Sequence, residues 1–162
     1  MRRTFADDNS QEMTPPRQPL RVLIADDHPL LRHSFRLDLE AAGIQVCAEA
    51  ATGAAAVRAA LAERPDLCLL DMRMPEGGGI AAAKSIRLSL PATKIGLITA
   101  LPDEEGIMAA ARAGADGFLA KDVNRVRLPY VLHAVADGET TYPRRLLHPV
   151  LRALQPPRPS DC

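Results

Sequence analysis

The sequence predicts an α/β fold in which one parallel sheet is covered by helices on both faces. Five short apolar runs alternate with five helical patterns along the 162 residues. Such an alternation requires parallel crossover connections. Several of the runs are apolar throughout, which is typical of strands in a sheet that is buried on both sides. The length suits one domain with tails rather than two domains.

The predicted strands are short apolar runs bounded by polar residues, glycine or proline. They are Arg21–Ala25, Gln45–Ala50, Leu67–Asp71, Lys94–Thr99 and Gly117–Ala120. The second run is the weakest, because a glutamine and a glutamate interrupt it. The third is apolar on both faces up to its last residue, and we expect it at the centre of the sheet.

The predicted helices lie between these strands, and capping or breaking residues set their ends. They cover residues 29–42, a stretch capped by Thr52 that ends near Glu63, residues 79–89, a stretch capped by Asp103 that ends at Ala113, and residues 125–137. Because proline disrupts helical hydrogen bonding, Pro129 predicts a late start or a kink in the fifth helix. An amphipathic stretch over residues 144–154 predicts a sixth, peripheral helix.

Changes in composition suggest the domain boundaries. Residues 1–19 are polar and end in three prolines, which predicts a disordered N-terminal arm. Residues 20–139 contain the regular alternation and form the predicted domain. Residues 140–162 are expected to form a C-terminal helix and a proline-rich tail or linker.

Charge and hydropathy exclude several classes of protein. Twenty basic residues balance twenty acidic ones, which argues against nucleic-acid binding through bulk charge. No apolar run approaches the roughly 20 residues of a membrane helix, and no secretory signal is recognisable. Three cysteines without metal-like spacing indicate a reducing compartment. We therefore expect a cytoplasmic protein with no membrane partner.

Polar side chains follow the predicted strands at their carboxyl ends. Asp26 and Asp27 follow the first strand, Asp71 ends the third, Thr99 ends the fourth, and Lys121 follows the fifth. Ligands of open α/β sheets bind at this edge. Three carboxylates that meet there repel one another unless a proton is retained or a cation is bound. Oxygen ligands favour Mg²⁺, and lysine and threonine suit phosphate oxygens. The sequence thus predicts a site for a phosphoryl group beside Mg²⁺.

Asp71 is the best candidate for a nucleophile among these acids. It ends the central strand, and a turn with three consecutive glycines follows it, so backbone N–H groups can face an anion there. Aspartate forms acyl phosphates in known chemistry. Asp26 and Asp27 are better suited to holding the ion, although this pair alone would equally suit a solvated turn that caps the first helix.

Four stretches resemble, in order and spacing, the receiver domain of bacterial two-component response regulators. They are LIADDHPLLRHSF, PDLCLLDMRMPEGGGI, IGLITA and AGADGFLAKD. More narrowly, they resemble the LuxR/FixJ-type (NarL-like) subfamily, whose full-length members carry a C-terminal helix-turn-helix. The resemblance covers about residues 20–139. It implies a flavodoxin-like (CheY-like) doubly wound sheet with strand order 2-1-3-4-5.

The resemblance also implies roles for the matching positions at the acid cluster. Asp71 matches the aspartate that is phosphorylated by a sensor histidine kinase. Asp26 and Asp27 match the acidic pair that holds Mg²⁺ together with Asp71. The backbone carbonyl of Arg73 matches the remaining protein ligand of the ion.

Three further positions match residues that bind the phosphoryl group or respond to it. Lys121 matches the lysine that binds phosphate. Thr99 matches the hydroxyl residue that binds the phosphoryl group and moves on activation. Phe118 matches the aromatic switch position. The resemblance implies a two-state output surface, with a homodimer as one outcome.

The sequence departs from the pattern of this subfamily in three ways. Gly78 stands where an aspartate often caps the third helix, so we expect a weaker helix start. Phe118 replaces the more usual tyrosine, so the switch must act through packing alone. No helix-turn-helix follows Leu154, so DNA contacts require a domain that is absent from this sequence.

Three functions compete on the sequence alone. The first is the receiver part of a transcription regulator, favoured by the linker-like proline-rich tail. The second is a stand-alone receiver in a phosphorelay, favoured by a chain that begins with Met1 and carries no tag. The third is an aspartyl-phosphate phosphatase on a similar scaffold. Arg73 argues against the third, because such phosphatases usually have an acid two residues after the nucleophile. We therefore expect no enzyme activity beyond phosphorylation and dephosphorylation of the chain itself.

Overall fold

A five-stranded parallel sheet in the order β2-β1-β3-β4-β5 forms the centre of the computed structural model, which describes residues 17–144 and 147–155. The strands are β1 (Arg21–Ala25), β2 (Gln45–Ala50), β3 (Leu67–Asp71), β4 (Lys94–Thr99) and β5 (Gly117–Ala120). These bounds are the predicted ones. The predicted fold class and strand order are confirmed.

Six helices follow the chain order within the described residues. They are α1 (Pro29–Ala41), α2 (Gly53–Glu63), α3 (Gly78–Ser89), α4 (Glu104–Arg112), α5 (Leu128–Ala136) and α6 (Leu147–Leu154). The predicted late start of the fifth helix is confirmed, because Pro129 lies in its first turn, where its missing N–H costs no helical hydrogen bond. The predicted arm and tail fall mostly outside the described residues, and so do residues 145–146 of the predicted sixth helix.

Side-chain acceptors cap three of the helices. Thr52 accepts from the backbone N–H of Ala55 at the start of α2, and Asp103 accepts from that of Gly106 at the start of α4. His28 caps α1 in the same way. Each contact satisfies one of the unpaired N–H groups at a helix start. The cap of α3 is Gly77, with a φ of 98° and no side-chain contact, so the prediction of Gly78 as the cap was wrong by one residue.

Two apolar clusters cover the two faces of the sheet. One packs β-strand residues such as Leu70 and Leu97 against helices α2, α3 and α4. The other packs residues such as Ile24 and Leu69 against α1 and α5. Each fully buried leucine or isoleucine stabilises the fold by roughly 1.5–3 kcal/mol. Because β1, β3 and β4 contribute residues to both clusters, their apolar runs are continuous, as the sequence predicted.

The register of the sheet aligns the carboxyl ends of the strands. Asp71 of β3 pairs with Ile98 of β4, and Thr99 of β4 pairs with Ala120 of β5. The polar residues that end or follow these strands therefore lie along one edge.

A short segment extends the sheet beyond β5. The backbone N–H of Phe118 donates to the carbonyl of Thr141 at 2.7 Å, in an isolated parallel bridge. The next residue, Tyr142, is buried. Burial, together with the charge of Asp116, raises the pKa of Tyr142 to about 12.

Within the described part of the chain, no helix has both the length and the apolar character that a membrane crossing requires.

Substitution of Gly79 tests how closely the start of α3 packs against β3. A Cβ atom at Gly79 would lie 2.1 Å from the carbonyl oxygen of Asp71, whereas one at Gly96 would make only ordinary contacts, at 3.6 Å and beyond. We expect Gly79→Ala to lower the free energy of unfolding by about 3 kcal/mol, because the backbones must separate. Gly96→Ala should change it by less than about 1 kcal/mol. Urea denaturation measures both, and equal effects would contradict the close approach.

Candidate functional site

The predicted site residues meet in a cleft at the carboxyl edge of the sheet. The cleft has a volume of about 270 Å³. Its lining residues come from the ends of four strands and the loops after them: Asp27, Asp71, Arg73, Thr99, Ala100, Leu101 and Lys121. Asp26 adjoins the cleft through its contact with Lys121.

Lys121 joins the two buried acids. Its Nζ atom lies 2.9 Å from Oδ2 of Asp71 and 2.9 Å from Oδ2 of Asp26. Asp26 and Asp71 are almost fully buried, while Lys121 is 18% exposed. A charge pair in this setting is screened less than one at the surface. The ammonium group therefore holds together two carboxylates that would otherwise repel each other.

Asp27 completes a cluster of three acids. Oxygen atoms of Asp26, Asp27 and Asp71 all lie within 4.8 Å of one another. Among the ion pairs of the described residues, Lys121 supplies the only cation to Asp26 and Asp71. When the three acids are ionised, two negative charges remain uncompensated.

Asp26 also has an incompletely satisfied oxygen. Its Oδ1 accepts from the backbone N–H of His28 at 2.8 Å. The ammonium of Lys121 lies 2.9 Å from Oδ2, but Oδ2 accepts no well-oriented hydrogen bond. Among the described residues, it is the only buried side-chain nitrogen or oxygen atom without one. A buried carboxylate oxygen of this kind has spare capacity to bind a cation. The donor set, all oxygen, suits Mg²⁺.

The pKa values of Asp71 and Lys121 are both raised, for different physical reasons. Burial raises the pKa of Asp71, hydrogen bonds from Lys121 and Arg73 oppose the rise, and the charge of Asp26 adds to it. Burial alone would lower the pKa of Lys121, but its contacts with Asp71 and Asp26 outweigh burial and raise it. The lysine is thus held in its charged form, while the effect of burial on the pKa of Asp71 outweighs that of Lys121.

The backbone around Asp71 is fixed from several sides. The N–H of Arg73 donates to Oδ1 of Asp71 at 3.2 Å, and that of Met72 donates to the carbonyl of Ile98 at 2.9 Å. Gly79 lets the start of α3 pass directly over the Asp71 carbonyl. The carboxylate of Asp71 is therefore held in a fixed position at the end of a buried strand.

Arg32 is a site residue that the sequence did not reveal. From α1, its Nη1 donates to the backbone carbonyl of Asp26 at 2.6 Å, and its Nε lies 3.3 Å from Oε1 of Glu49 on β2. Arg32 thereby braces the loop that carries the acidic pair. One contact reaches back to the loop before α1 and the other reaches a different strand, so no helical or strand periodicity marked Arg32.

Of the two predicted switch residues, Thr99 lines the cleft and Phe118 does not. Thr99 is buried, lines the cleft and accepts at Oγ1 from the N–H of Leu101 at 3.4 Å. Phe118 is buried outside the cleft, where its ring stacks on that of Tyr142 at a centroid distance of 6.5 Å. The sequence analysis did not find Tyr142, although Thr-Thr-Tyr is a strand-prone run that could have marked it.

A comparison with known families decides the assignment. Residues 22–133 match the response regulator receiver domain. The chain belongs to this family. The predicted resemblance is therefore confirmed, and the match includes the strand ends that carry the acid cluster, Thr99 and Lys121.

Two relatives of this receiver domain are regulatory proteins of greater length. It is 40% identical over 124 residues to the uncharacterized transcriptional regulatory protein YxjL of Bacillus subtilis, a match that covers 76% of this chain and 57% of YxjL. It is 36% identical over 123 residues to the oxygen regulatory protein NreC of Staphylococcus epidermidis, covering 75% of this chain and 56% of NreC. The chain thus spans little more than half the length of these curated relatives.

A solved receiver domain shares the fold over nearly its whole length. The signal receiver domain of the putative response regulator NarL from Mycobacterium tuberculosis is 36% identical in sequence, with a TM-score of 0.72. The match covers 75% of this chain and 99% of the NarL domain. It confirms the NarL-type resemblance of the receiver region.

Removal of Lys121 tests the charge balance of the cluster. We expect Lys121→Ala, measured with a chelator present, to lower the free energy of unfolding by about 2 kcal/mol, because two buried carboxylates lose their cation. Asp71→Asn in the same chain should restore much of that loss, giving a coupling free energy of about 1–2 kcal/mol.

Lys84→Ala provides the control for this experiment, since Lys84 is exposed on α3 and its loss should change stability by less than about 0.5 kcal/mol. Additive effects of Lys121→Ala and Asp71→Asn in a thermodynamic cycle would mean that the two side chains do not interact.

Proposed function

We propose that this receiver domain accepts a phosphoryl group on Asp71 from the phosphohistidine of a sensor histidine kinase. The observation that carries the proposal is the double contact of Lys121, 2.9 Å from both Asp71 and Asp26, inside a cluster of three acids. Membership of the receiver family supports the same reaction. A structural ion pair alone would need neither the third acid nor a cleft.

In the proposed transfer, a carboxylate oxygen of Asp71 attacks phosphorus. The new P–O bond forms as the P–N bond of phosphohistidine breaks, and the histidine nitrogen keeps the electron pair. The chain contributes position and charge rather than covalent chemistry. Lys121 and Thr99 lie in the same cleft and would bind the oxygens of the transferred group. Hydrolysis of the acyl phosphate resets the domain, so the chain acts only on itself.

We propose that Mg²⁺ is held by the carboxylates of Asp26, Asp27 and Asp71 and by the backbone carbonyl of Arg73. The acid cluster and the incompletely satisfied Oδ2 of Asp26 fit a divalent cation. When bound, Mg²⁺ supplies positive charge that lets an anionic phosphoryl group approach anionic carboxylates. Arg32 and the N–H of His28 keep Asp26 in place for this contact.

The proposed output is a change in surface that follows phosphorylation. The new phosphoryl group attracts the hydroxyl of Thr99, and Phe118 repacks as Thr99 moves. A local charge thus biases a two-state element. A homodimer through the altered surface is one proposed consequence.

We further propose that the output of the longer protein is regulation of transcription. The curated relatives are almost twice the length of the matched region, which favours a longer regulator over a stand-alone receiver. Contact with DNA would then belong to a domain outside residues 20–139, with residues 140–162 as the connection. The cytoplasm is the proposed compartment, because the kinase draws its phosphoryl group from ATP.

Labelling by acetyl phosphate tests the acceptor. Wild type incubated with acetyl phosphate and Mg²⁺ should show one shifted band on a Phos-tag gel, and Asp71→Asn should show none. Asp122→Asn is the matched control, because Asp122 is an exposed acid next to Lys121, and this variant should be labelled like wild type. Equal labelling of wild type and Asp71→Asn would exclude Asp71 as the acceptor.

A further inference from the structure

The outer edge of β5 is covered by residues 140–142, here called the edge segment. An open strand edge presents unpaired N–H and C=O groups. Here the N–H of Phe118 donates to the carbonyl of Thr141 at 2.7 Å, and the N–H of Thr141 donates to the carbonyl of Asp116 at 3.2 Å. The edge segment thus pairs with the start of β5 through one backbone bridge.

Tyr142 attaches the edge segment to the face of β5 that α4 covers. Its ring stacks on Phe118, with the ring planes 10° apart. Its hydroxyl donates to the carbonyl of Ala115 at 2.8 Å, in the loop between α4 and β5. Both rings belong to the apolar cluster that packs under α4. Farther along the chain, α6 packs against α4. The C-terminal part of the chain therefore contacts both β5 and α4.

The sheet register connects the edge segment to the phosphoryl site. Leu97 pairs with Phe118, and Thr99 pairs with Ala120. Paired residues of parallel strands direct their side chains to the same face, as do residues two positions apart. Thr99 and Phe118 therefore share the face that Tyr142 covers. The N–H of Lys121 also donates to the carbonyl of Thr99 at 2.8 Å. The path from Asp71 to Tyr142 is continuous through Lys121, Thr99 and β5.

We propose that the edge segment and Tyr142 form a latch that holds α6 against α4, and that phosphorylation of Asp71 releases this latch. This inference rests on the proposed function. When Thr99 is drawn toward the phosphoryl group, Phe118 moves into the vacated space on the same face and leaves the ring of Tyr142. The backbone pairing of Thr141 then loosens, and α6 leaves α4.

Apart from the packing of the Tyr142 ring in the apolar cluster, few contacts attach the latch to the sheet. A pair of backbone hydrogen bonds, one hydroxyl contact and one ring stack fasten the edge segment to β5 and its preceding loop. Elements held by few contacts open at low free energy, so a small shift in one strand changes their population. Release would uncover α4 and the edge of β5 together. The signal would thus reach whatever follows α6 in the chain.

The two tyrosines of the chain allow a direct test. Tyr142 is 9% exposed and Tyr130 is 74% exposed, so 3-fluorotyrosine labelling of the whole chain gives one reporter and one internal reference. Tyr130→Phe assigns the two ¹⁹F resonances. With acetyl phosphate and Mg²⁺, the Tyr142 resonance should move toward that of Tyr130, which should not change. Hydrogen exchange of the Phe118 and Thr141 amides should accelerate by about tenfold or more.

Three variants separate the latch from its trigger. Asp71→Asn should keep the Thr141 amide protected when acetyl phosphate is added. Tyr142→Ala should accelerate exchange at Thr141 without phosphorylation. Tyr142→Phe, which keeps the ring and should fold, is expected to lie between Tyr142→Ala and wild type.

Phos-tag analysis of the same samples distinguishes the two proposals. If Asp71 is phosphorylated but the Tyr142 resonance and Thr141 exchange stay unchanged, or exchange slows, the latch is overturned and the proposed function stands. If Asp71 is not phosphorylated, the proposed function is contradicted, and the latch loses its proposed trigger.

Discussion

The contact of one ammonium group with two buried carboxylates is the interaction on which the site depends. Lys121 follows β5, Asp26 follows β1 and Asp71 ends β3, so the contact exists only because the sheet order brings these strand ends to one edge. The apolar clusters on both faces stabilise that order. In return, the lysine offsets the repulsion that buried acids impose on the fold. The apolar core and the geometry of the site therefore depend on the same strand order.

Much of this arrangement could be predicted because two simple rules apply to all five strands. All five strands have the predicted bounds, since each is an apolar run between polar or turn-forming residues. Polar residues at the carboxyl ends of parallel strands must then lie near one another. That rule alone predicts that Asp26, Asp71 and Lys121 lie together at one edge of the sheet. The strand order itself came from the family resemblance, because local patterns do not specify which strands are neighbours.

The features that the sequence analysis missed depend on interactions outside the regular pattern of one helix or strand. Arg32 reaches the backbone of Asp26 from a helix face that looks solvent-exposed in the sequence. Tyr142 pairs with Phe118 across a helix and two loops. The cap of α3 was misplaced by one residue, because three consecutive glycines give no side-chain signal and only φ distinguishes them. The contacts of Arg32 and Tyr142 are tertiary, and such contacts produce no helical or strand periodicity in the sequence.

The central claim is that three clustered acids and one lysine form a site that needs a divalent cation to receive a phosphoryl group. Calorimetric titration of the whole chain with Mg²⁺, compared with the Asp26→Asn, Asp27→Asn double variant, tests it most directly. The account predicts one binding event in wild type and none in the variant, at matched folding by circular dichroism. Equal binding by both proteins, or none by wild type, would contradict it.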